Sequence, residues 1–87
     1  MPAADHPELQ DLVKFLAEQL VDAPGEVTVE EMEEDGAAVF ELTVAEEDLG
    51  KVIGRGGRTA RALRTVISSL AGNLYVRVDL LDVDEIR

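Results

Sequence analysis

Apolar residues recur at helical spacing in two parts of the chain. Residues 8–21 are predicted to form one amphipathic helix, which ends near Asp22 because Ala23-Pro24-Gly25 breaks it. Residues 58–71 are predicted to form another, which stops at Gly72-Asn73. The positions expected to face the core are Leu9, Leu12, Val13, Leu16 and Leu20 in the first helix, and Leu63, Val66, Ile67 and Leu70 in the second.

Alternating apolar and polar residues predict three strands, in the segments EVTVEEM, AVFELTV and LYVRVDLLDV. Asp35-Gly36 lies between the first two and predicts a two-residue hairpin turn. In the third strand, Tyr75 and Arg77 fall on the face opposite to the apolar residues. The apolar strand positions are Val27, Val29, Phe40, Leu42, Val44, Leu74, Val76, Val78 and Leu80.

A short helix is predicted over residues 46–53, where Leu49, Val52 and Ile53 share one face. The order is therefore helix, strand, strand, helix, helix, strand, which predicts an α+β fold with the helices packed on one face of a three-stranded sheet. The 87 residues suffice for one core, so we expect a single domain over residues 1–87 with loose ends at 1–6 and 83–87.

Charge is distributed very unevenly along the chain. The net charge is −11, yet residues 51–64 hold five of the eight basic residues and no Asp or Glu. This segment therefore carries +5 and the rest of the chain −16. The net charge disfavours nonspecific binding to a polyanion, but the basic segment permits a local anion site. The acidic run at residues 30–35 is interpreted as a solvated sheet edge or, alternatively, as a surface for a basic partner.

The residue inventory gives little support to catalysis or metal binding. The chain has no cysteine, and its one histidine, His6, has no companion ligand and is interpreted as a surface residue. We therefore expect neither an enzyme nor a metal or cofactor site. The N-terminal sequence is not typical of a secretory signal, and no apolar run approaches the ~20 residues that span a membrane. The expected location is the cytoplasm.

The candidate site is Gly54-Arg55-Gly56-Gly57, hereafter the glycine loop, between the second and third predicted helices. Glycine allows a tight turn and close approach of a ligand, and the start of the following helix favours an anion. Residue spacing rules out a dinucleotide fingerprint and a P-loop. A plain helix-to-helix turn remains the alternative.

Arginines at positions 58, 61 and 64 fall on the solvent side of the third helix. Together with Ile53 beneath the glycine loop, they suit single-stranded nucleic acid, in which phosphates meet charge and bases meet apolar surface. The alternative is a solvated helix face, with Glu46, Glu47 and Asp48 as ion-pair partners. Aromatic residues Phe15, Phe40 and Tyr75 are expected to pack in the core or on the sheet, with Tyr75 and Arg77 as a possible partner surface.

The segment VIGRGGRTARALR resembles the VIGxxGxxxxxLR core of KH domains, and nearly the whole chain is similar to the small bacterial KH-domain proteins of the KhpA (YlqC) group. The resemblance implies a type II KH fold (α-β-β-α-α-β) with a mixed sheet, and RNA contacts at Ile53, Gly54, Arg55, Gly56, Gly57 and Arg58. Lys51, Arg61 and Arg64 form a wider basic rim. It also implies a homodimer, or pairing with a larger KH protein of the KhpB (Jag) type.

Two functions follow from these observations. The first is binding of single-stranded RNA through the glycine loop by an RNA chaperone or post-transcriptional regulatory factor. The second is a protein–protein interaction module that uses the KH fold to dimerise and has little RNA affinity of its own.

Overall fold

The computed structural model describes residues 6–81, which form three α-helices and three strands. The ends that were expected to be loose, residues 1–6 and 83–87, lie outside the described residues, apart from His6. The last residues of the third predicted strand lie outside them as well. The elements follow one another in the predicted order. They are α1 (Pro7–Glu18), β1 (Thr28–Glu34), β2 (Ala37–Thr43), α2 (Leu49–Ile53), α3 (Arg58–Ala71) and β3 (Val76–Leu81), with 3₁₀ turns at Pro24–Glu26, Glu46–Asp48 and Arg55–Gly57.

The three strands form a mixed sheet in the order β1-β2-β3. β1 and β2 are antiparallel, and Glu34 pairs with Ala37 across the predicted hairpin turn. Asp35 and Gly36 have φ of 53° and 81°, as a tight turn between twisted strands requires. β3 lies parallel to β2, with Val78 opposite Phe40. The predicted α+β class and mixed sheet are therefore confirmed.

The core lies between one face of this sheet and the helices. Phe40, Leu42 and Val78 point from the sheet into it and are almost fully buried. Val13 and Ala17 of α1 and Leu63 and Ile67 of α3 cover them from the helical side. On the opposite face of the sheet, the acidic residues Glu30, Glu41 and Asp79 stand side by side in register.

The start of α1 is held to the sheet edge by a contact that the sequence does not reveal. The backbone N–H of His6 donates to Glu31 Oε1 (2.7 Å), and His6 Nδ1 lies 2.6 Å from Glu31 Oε2. The Glu31 side chain is only 4% exposed. His6 was interpreted as a surface residue and the whole acidic run as solvated. Both interpretations are wrong at this pair, because His6 and Glu31 are partly buried and meet each other's hydrogen-bonding needs.

Two helix boundaries differ from the predicted ones. α1 ends at Glu18 rather than at residue 21, because Leu20 N–H bonds the Ala17 carbonyl and tightens the last turn. The chain then turns Leu20 and Val21 toward the core. The helix predicted over residues 46–53 is split into a 3₁₀ turn and α2, which has five residues.

Three apolar side chains that were predicted to pack inside are exposed. Phe15 is 55% exposed, Val66 43% and Leu70 62%. The helical layer is one helix thick, so α3 reaches the sheet only with the narrow stripe that contains Leu63 and Ile67. Phe40, by contrast, packs at the centre of the core as expected.

Candidate nucleic-acid interface

Gly54 ends α2 in a conformation that is open almost exclusively to glycine. Its φ is 75° and its ψ 170°. A Cβ atom at this position would lie 2.2 Å from Thr59 Oγ1 and 2.8 Å from the Thr59 backbone nitrogen. Gly54 is therefore where the end of α2 comes into direct contact with the first turn of α3.

The other two glycines of the loop are also left-handed, but they face open space. Gly56 has φ 62° and ψ 19°, and Gly57 has φ 78°. A Cβ at Gly56 would meet no atom within 4 Å, and one at Gly57 would meet only the end of the flexible Arg61 side chain. The middle of the glycine loop thus rises from the surface and leaves room for a ligand.

Two of the loop's backbone amides donate to carbonyls of the loop and of α2, and two, hereafter the free amides, have no acceptor within the loop's own 3₁₀ turn. The N–H of Gly54 donates to the Gly50 carbonyl (2.9 Å), and the N–H of Gly57 donates to the Gly54 carbonyl (3.1 Å). The N–H groups of Arg55 and Gly56 are the first two of the 3₁₀ turn Arg55–Gly57 and have no acceptor within it. No side chain caps the start of α3. Unpaired amides at a helix start form an anion-binding arrangement.

Four arginines surround these amides, and all four are exposed. Over the part of the chain that the structure describes, none of them forms an ion pair, so the expected partners Glu46, Glu47 and Asp48 do not neutralise them. Three of the four lie at or near the glycine loop. The fourth, Arg64, donates from Nε to the Val78 carbonyl (3.0 Å) and so extends toward β3.

Lys51 lies in a different environment from the arginines. Its Nζ is 3.1 Å from Asp22 Oδ2 and 3.2 Å from Asp48 Oδ1. The hydrogen bonds to Asp22 and then Asp48 raise the pKa of the Lys51 ammonium. Among the five basic residues of segment 51–64, Lys51 is the one that forms ion pairs with acidic side chains of residues 6–81.

Asp48 is the buried partner in this group, and its side chain is 3% exposed. Burial by itself would raise the pKa of the carboxyl. Hydrogen bonds from the backbone N–H groups of Ala23 and Asp22 and from Lys51 outweigh it and hold the Asp48 pKa below its ordinary value. Asp48 is therefore ionised at neutral pH.

The apolar surface next to the loop comes from Ile53, which is 42% exposed. Val52, the preceding residue, points into the core instead and is 1% exposed. The structure therefore brings Ile53, the free amides and the loop arginines together. Lys51 and Arg64 lie further out and are held by other groups.

A shallow apolar groove of about 240 Å³ between α1 and α3 was not predicted. Phe15 and Leu70, both exposed, lie one helical turn from the lining residues Gln19 and Val66. The available signal was the unusual breadth of the apolar stripes in both helices. The lining residues are Leu16, Gln19, Leu20, Thr59, Ala62, Leu63 and Val66.

Other kinds of site find no support in the structure. In residues 6–81, no three His, Cys, Asp or Glu side chains are grouped so that they could hold a metal ion. No helix in that range combines the length and the apolar character that crossing a bilayer requires.

Comparisons with known proteins identify the family of the chain. Residues 10–81 match the family described as KhpA/KhpB, KH domain. A protein named RNA-binding protein KhpA from Streptomyces coelicolor is 48% identical over 79 residues, which cover 91% of this chain and 99% of that protein. Proteins of the same name from Treponema pallidum (47% identity, 86% and 94% covered) and Mycobacterium bovis (44%, 86% and 92%) are similar. The chain belongs to the KhpA/KhpB family of KH-domain proteins.

Proposed function

We propose that this protein binds single-stranded RNA at the glycine loop and the first turns of α3. The observation that carries the proposal is the pair of amides that lead the loop's 3₁₀ turn, on Arg55 and Gly56, beside arginines that form no ion pair within residues 6–81. Relatives that are 44% to 48% identical carry the name RNA-binding protein KhpA, which supports the same function.

In this proposal each part of the site has a separate role. The amides of Arg55 and Gly56 and the positive end of the α3 dipole bind a phosphate. Arg55, Arg58 and Arg61 add charge along the RNA backbone. The amides of Gly54 and Gly57 form the hydrogen bonds that shape the loop. The exposed side chain of Ile53 packs against a base.

The biological role that we propose is that of an RNA chaperone or post-transcriptional regulatory factor in the cytoplasm. The contacts in this proposal come from backbone amides, basic side chains and Ile53, and none of them uses a metal or cofactor. The KhpA/KhpB family is not an enzyme family, which confirms the expectation that the chain is not an enzyme.

The dependence of binding on salt tests the RNA site. Single-stranded RNA gives a slope of log K against log salt of about −0.7 for each phosphate contact. Four arginines therefore set a limit of about −2.8, and Lys51 would extend it to about −3.5. We expect fluorescence anisotropy with short labelled RNAs to give a slope no steeper than about −2.8. Absence of binding by the folded protein, even at low salt, would contradict the proposed function.

The apolar groove between α1 and α3 favours a second function, assembly with another KH domain. Phe15, Val66 and Leu70 expose apolar side chains at or near this groove, and exposed apolar patches on small soluble proteins often mark interaction surfaces. We propose that this face joins two copies of the chain, or this chain and a KhpB (Jag)-type partner. Phe15, Val66 and Leu70 are not part of the proposed RNA site, but Thr59 both lines the groove and contacts Gly54, so the two surfaces adjoin at Thr59.

A charge placed on this face should dissociate the assembly. We expect light scattering after size exclusion to give twice the 9.4 kDa chain mass for the wild type and the single-chain mass for Leu70→Asp. Ser68→Asp is the matched control, because Ser68 is exposed on another side of α3. A wild type that stays monomeric at all concentrations, alone and with a KH partner, would exclude the assembly.

A further inference from the structure

Three residues join the loop after α1 to the start of α2. Asp48 Oδ2 accepts the backbone N–H of Ala23 (3.1 Å), and Asp48 Oδ1 accepts a hydrogen bond from Lys51 Nζ (3.2 Å). Lys51 Nζ also lies 3.1 Å from Asp22 Oδ2. We name Asp22, Asp48 and Lys51 the clasp. It connects chain segments that are more than 20 residues apart in sequence.

The clasp holds a helix that is too short to be stable alone. α2 has five residues, and helices below about 12 residues are marginal without tertiary contacts. Val52 anchors one side of α2 in the core, and the clasp anchors its first turn to the chain at Ala23. Between them, these two anchors fix the position and direction of α2.

The position of α2 directly determines the position of the glycine loop. Gly54 N–H bonds the Gly50 carbonyl, so the loop begins from the last turn of α2. Gly54 also lies against Thr59 without room for a methyl group, so a shift of α2 changes this contact. The free amides of Arg55 and Gly56 follow within two residues. Their direction therefore depends on the clasp.

The charge of Lys51 is already used within the clasp. One ammonium lies between two carboxylates, so the clasp has a net charge of −1, whereas the four arginines have no acidic partner among residues 6–81. A phosphate at Lys51 would find only the third ammonium proton unused and would lie beside two carboxylates, one of them the buried Asp48. Binding there would therefore meet like-charge repulsion that the arginines do not impose.

We infer that Asp48 and Lys51 are positioning residues for the RNA site and that Lys51 makes no RNA contact. This inference rests on the proposed function. It changes the role of Lys51, which the sequence analysis placed in the basic rim around the RNA site. Asp48 acts through Ala23 and Lys51, and Lys51 acts by holding α2. The site would then bind RNA through the loop and the arginines alone.

Salt titrations of two clasp variants and one arginine variant test the inference. In Lys51→Met and Asp48→Asn the loop is less well ordered, so we expect affinity to fall about fivefold at every salt concentration. The slope of log K against log salt should stay as in the wild type. Arg58→Gln is the comparison, and its slope should be shallower by about 0.7 because a phosphate contact is lost.

Two further measurements separate positioning from general destabilisation. Val29→Ala in β1 lowers stability at a core residue far from the loop in sequence and should leave RNA affinity unchanged. Hydrogen exchange at the Gly54 amide, which bonds Gly50, should be faster in both clasp variants than in Val29→Ala at equal stability.

The outcomes are distinct. A slope shallower by about 0.7 in Lys51→Met would make Lys51 a phosphate contact and overturn the inference. Unchanged affinity and unchanged Gly54 exchange in both clasp variants would also overturn it. If the wild type binds no RNA, the proposed function fails. Faster exchange of the Gly54 amide in the clasp variants would still show that the clasp holds the loop in place.

Discussion

Replacing Gly54 with alanine should destabilise the domain by about 3 kcal/mol or more. Two costs add together. The backbone at φ 75° and ψ 170° is nearly closed to any residue with a side chain, and the new methyl would lie 2.2 Å from Thr59 Oγ1. Either α2 or the start of α3 must move to remove this clash. Chemical denaturation followed by circular dichroism measures the loss.

Gly56→Ala is the matched control for this prediction. Gly56 is also left-handed, with φ 62°, but no atom lies within 4 Å of the added methyl. Its cost should be only the backbone penalty, about 1 kcal/mol. Equal destabilisation by the two substitutions would show that the contact between Gly54 and Thr59 is unimportant for stability.

Reversing the charge of the glycine loop should abolish RNA binding in a folded protein. In the double variant Arg55→Asp, Gly56→Asp, one basic side chain is lost and two carboxylates lie beside the free amides. We expect affinity to fall at least ~100-fold, because a charge-assisted contact is lost and like charges face each other. Aspartate tolerates the left-handed backbone of Gly56, where space is open, so the fold should persist.

Fluorescence anisotropy gives the affinity, and circular dichroism checks the fold. The variant Arg55→Asn, Gly56→Asn is the neutral counterpart, because Asn has the shape of Asp and adds no negative charge. It should bind with intermediate affinity. If the doubly acidic variant is folded and binds RNA as tightly as the wild type, the RNA site must lie elsewhere on the molecule.

Local patterns in the sequence were sufficient for much of the fold. α3 spans the predicted residues 58–71, since its apolar stripe is interrupted by glycines on both sides. The hairpin turn is the predicted Asp35-Gly36, because few other dipeptides accept positive φ at both positions. The position of the glycine loop follows from the same kind of local information.

The details of the site could not be predicted, because they depend on contacts between distant segments. Asp48 and Lys51, two of the three clasp residues, have the i,i+3 spacing that indicates a helical ion pair in the sequence. Asp22 is 29 positions before Lys51, and Arg64 is 14 before Val78, so only the fold shows these contacts.

The exposed apolar residues show a different limit of the sequence. A helical stripe of apolar residues indicates which side avoids water, but it does not distinguish the chain's own core from a partner. Ile67 and Leu70 belong to the same stripe of α3, yet Ile67 is buried and Leu70 is 62% exposed. The breadth of the stripe was itself the signal for an additional surface.

The open face of the sheet and the surface around the glycine loop differ in charge. Glu30, Glu41 and Asp79 lie on the open face, where Arg77 pairs with Asp79, whereas the four arginines of residues 55–64 belong to the helical layer. The shortest dimension of the protein is 20 Å, and salt screens charges beyond about 8 Å at physiological ionic strength. A polyanion near the loop is therefore shielded from the acidic face. Glu30 and Glu41 repel such a ligand from the sheet side, which favours its approach from the side of the glycine loop.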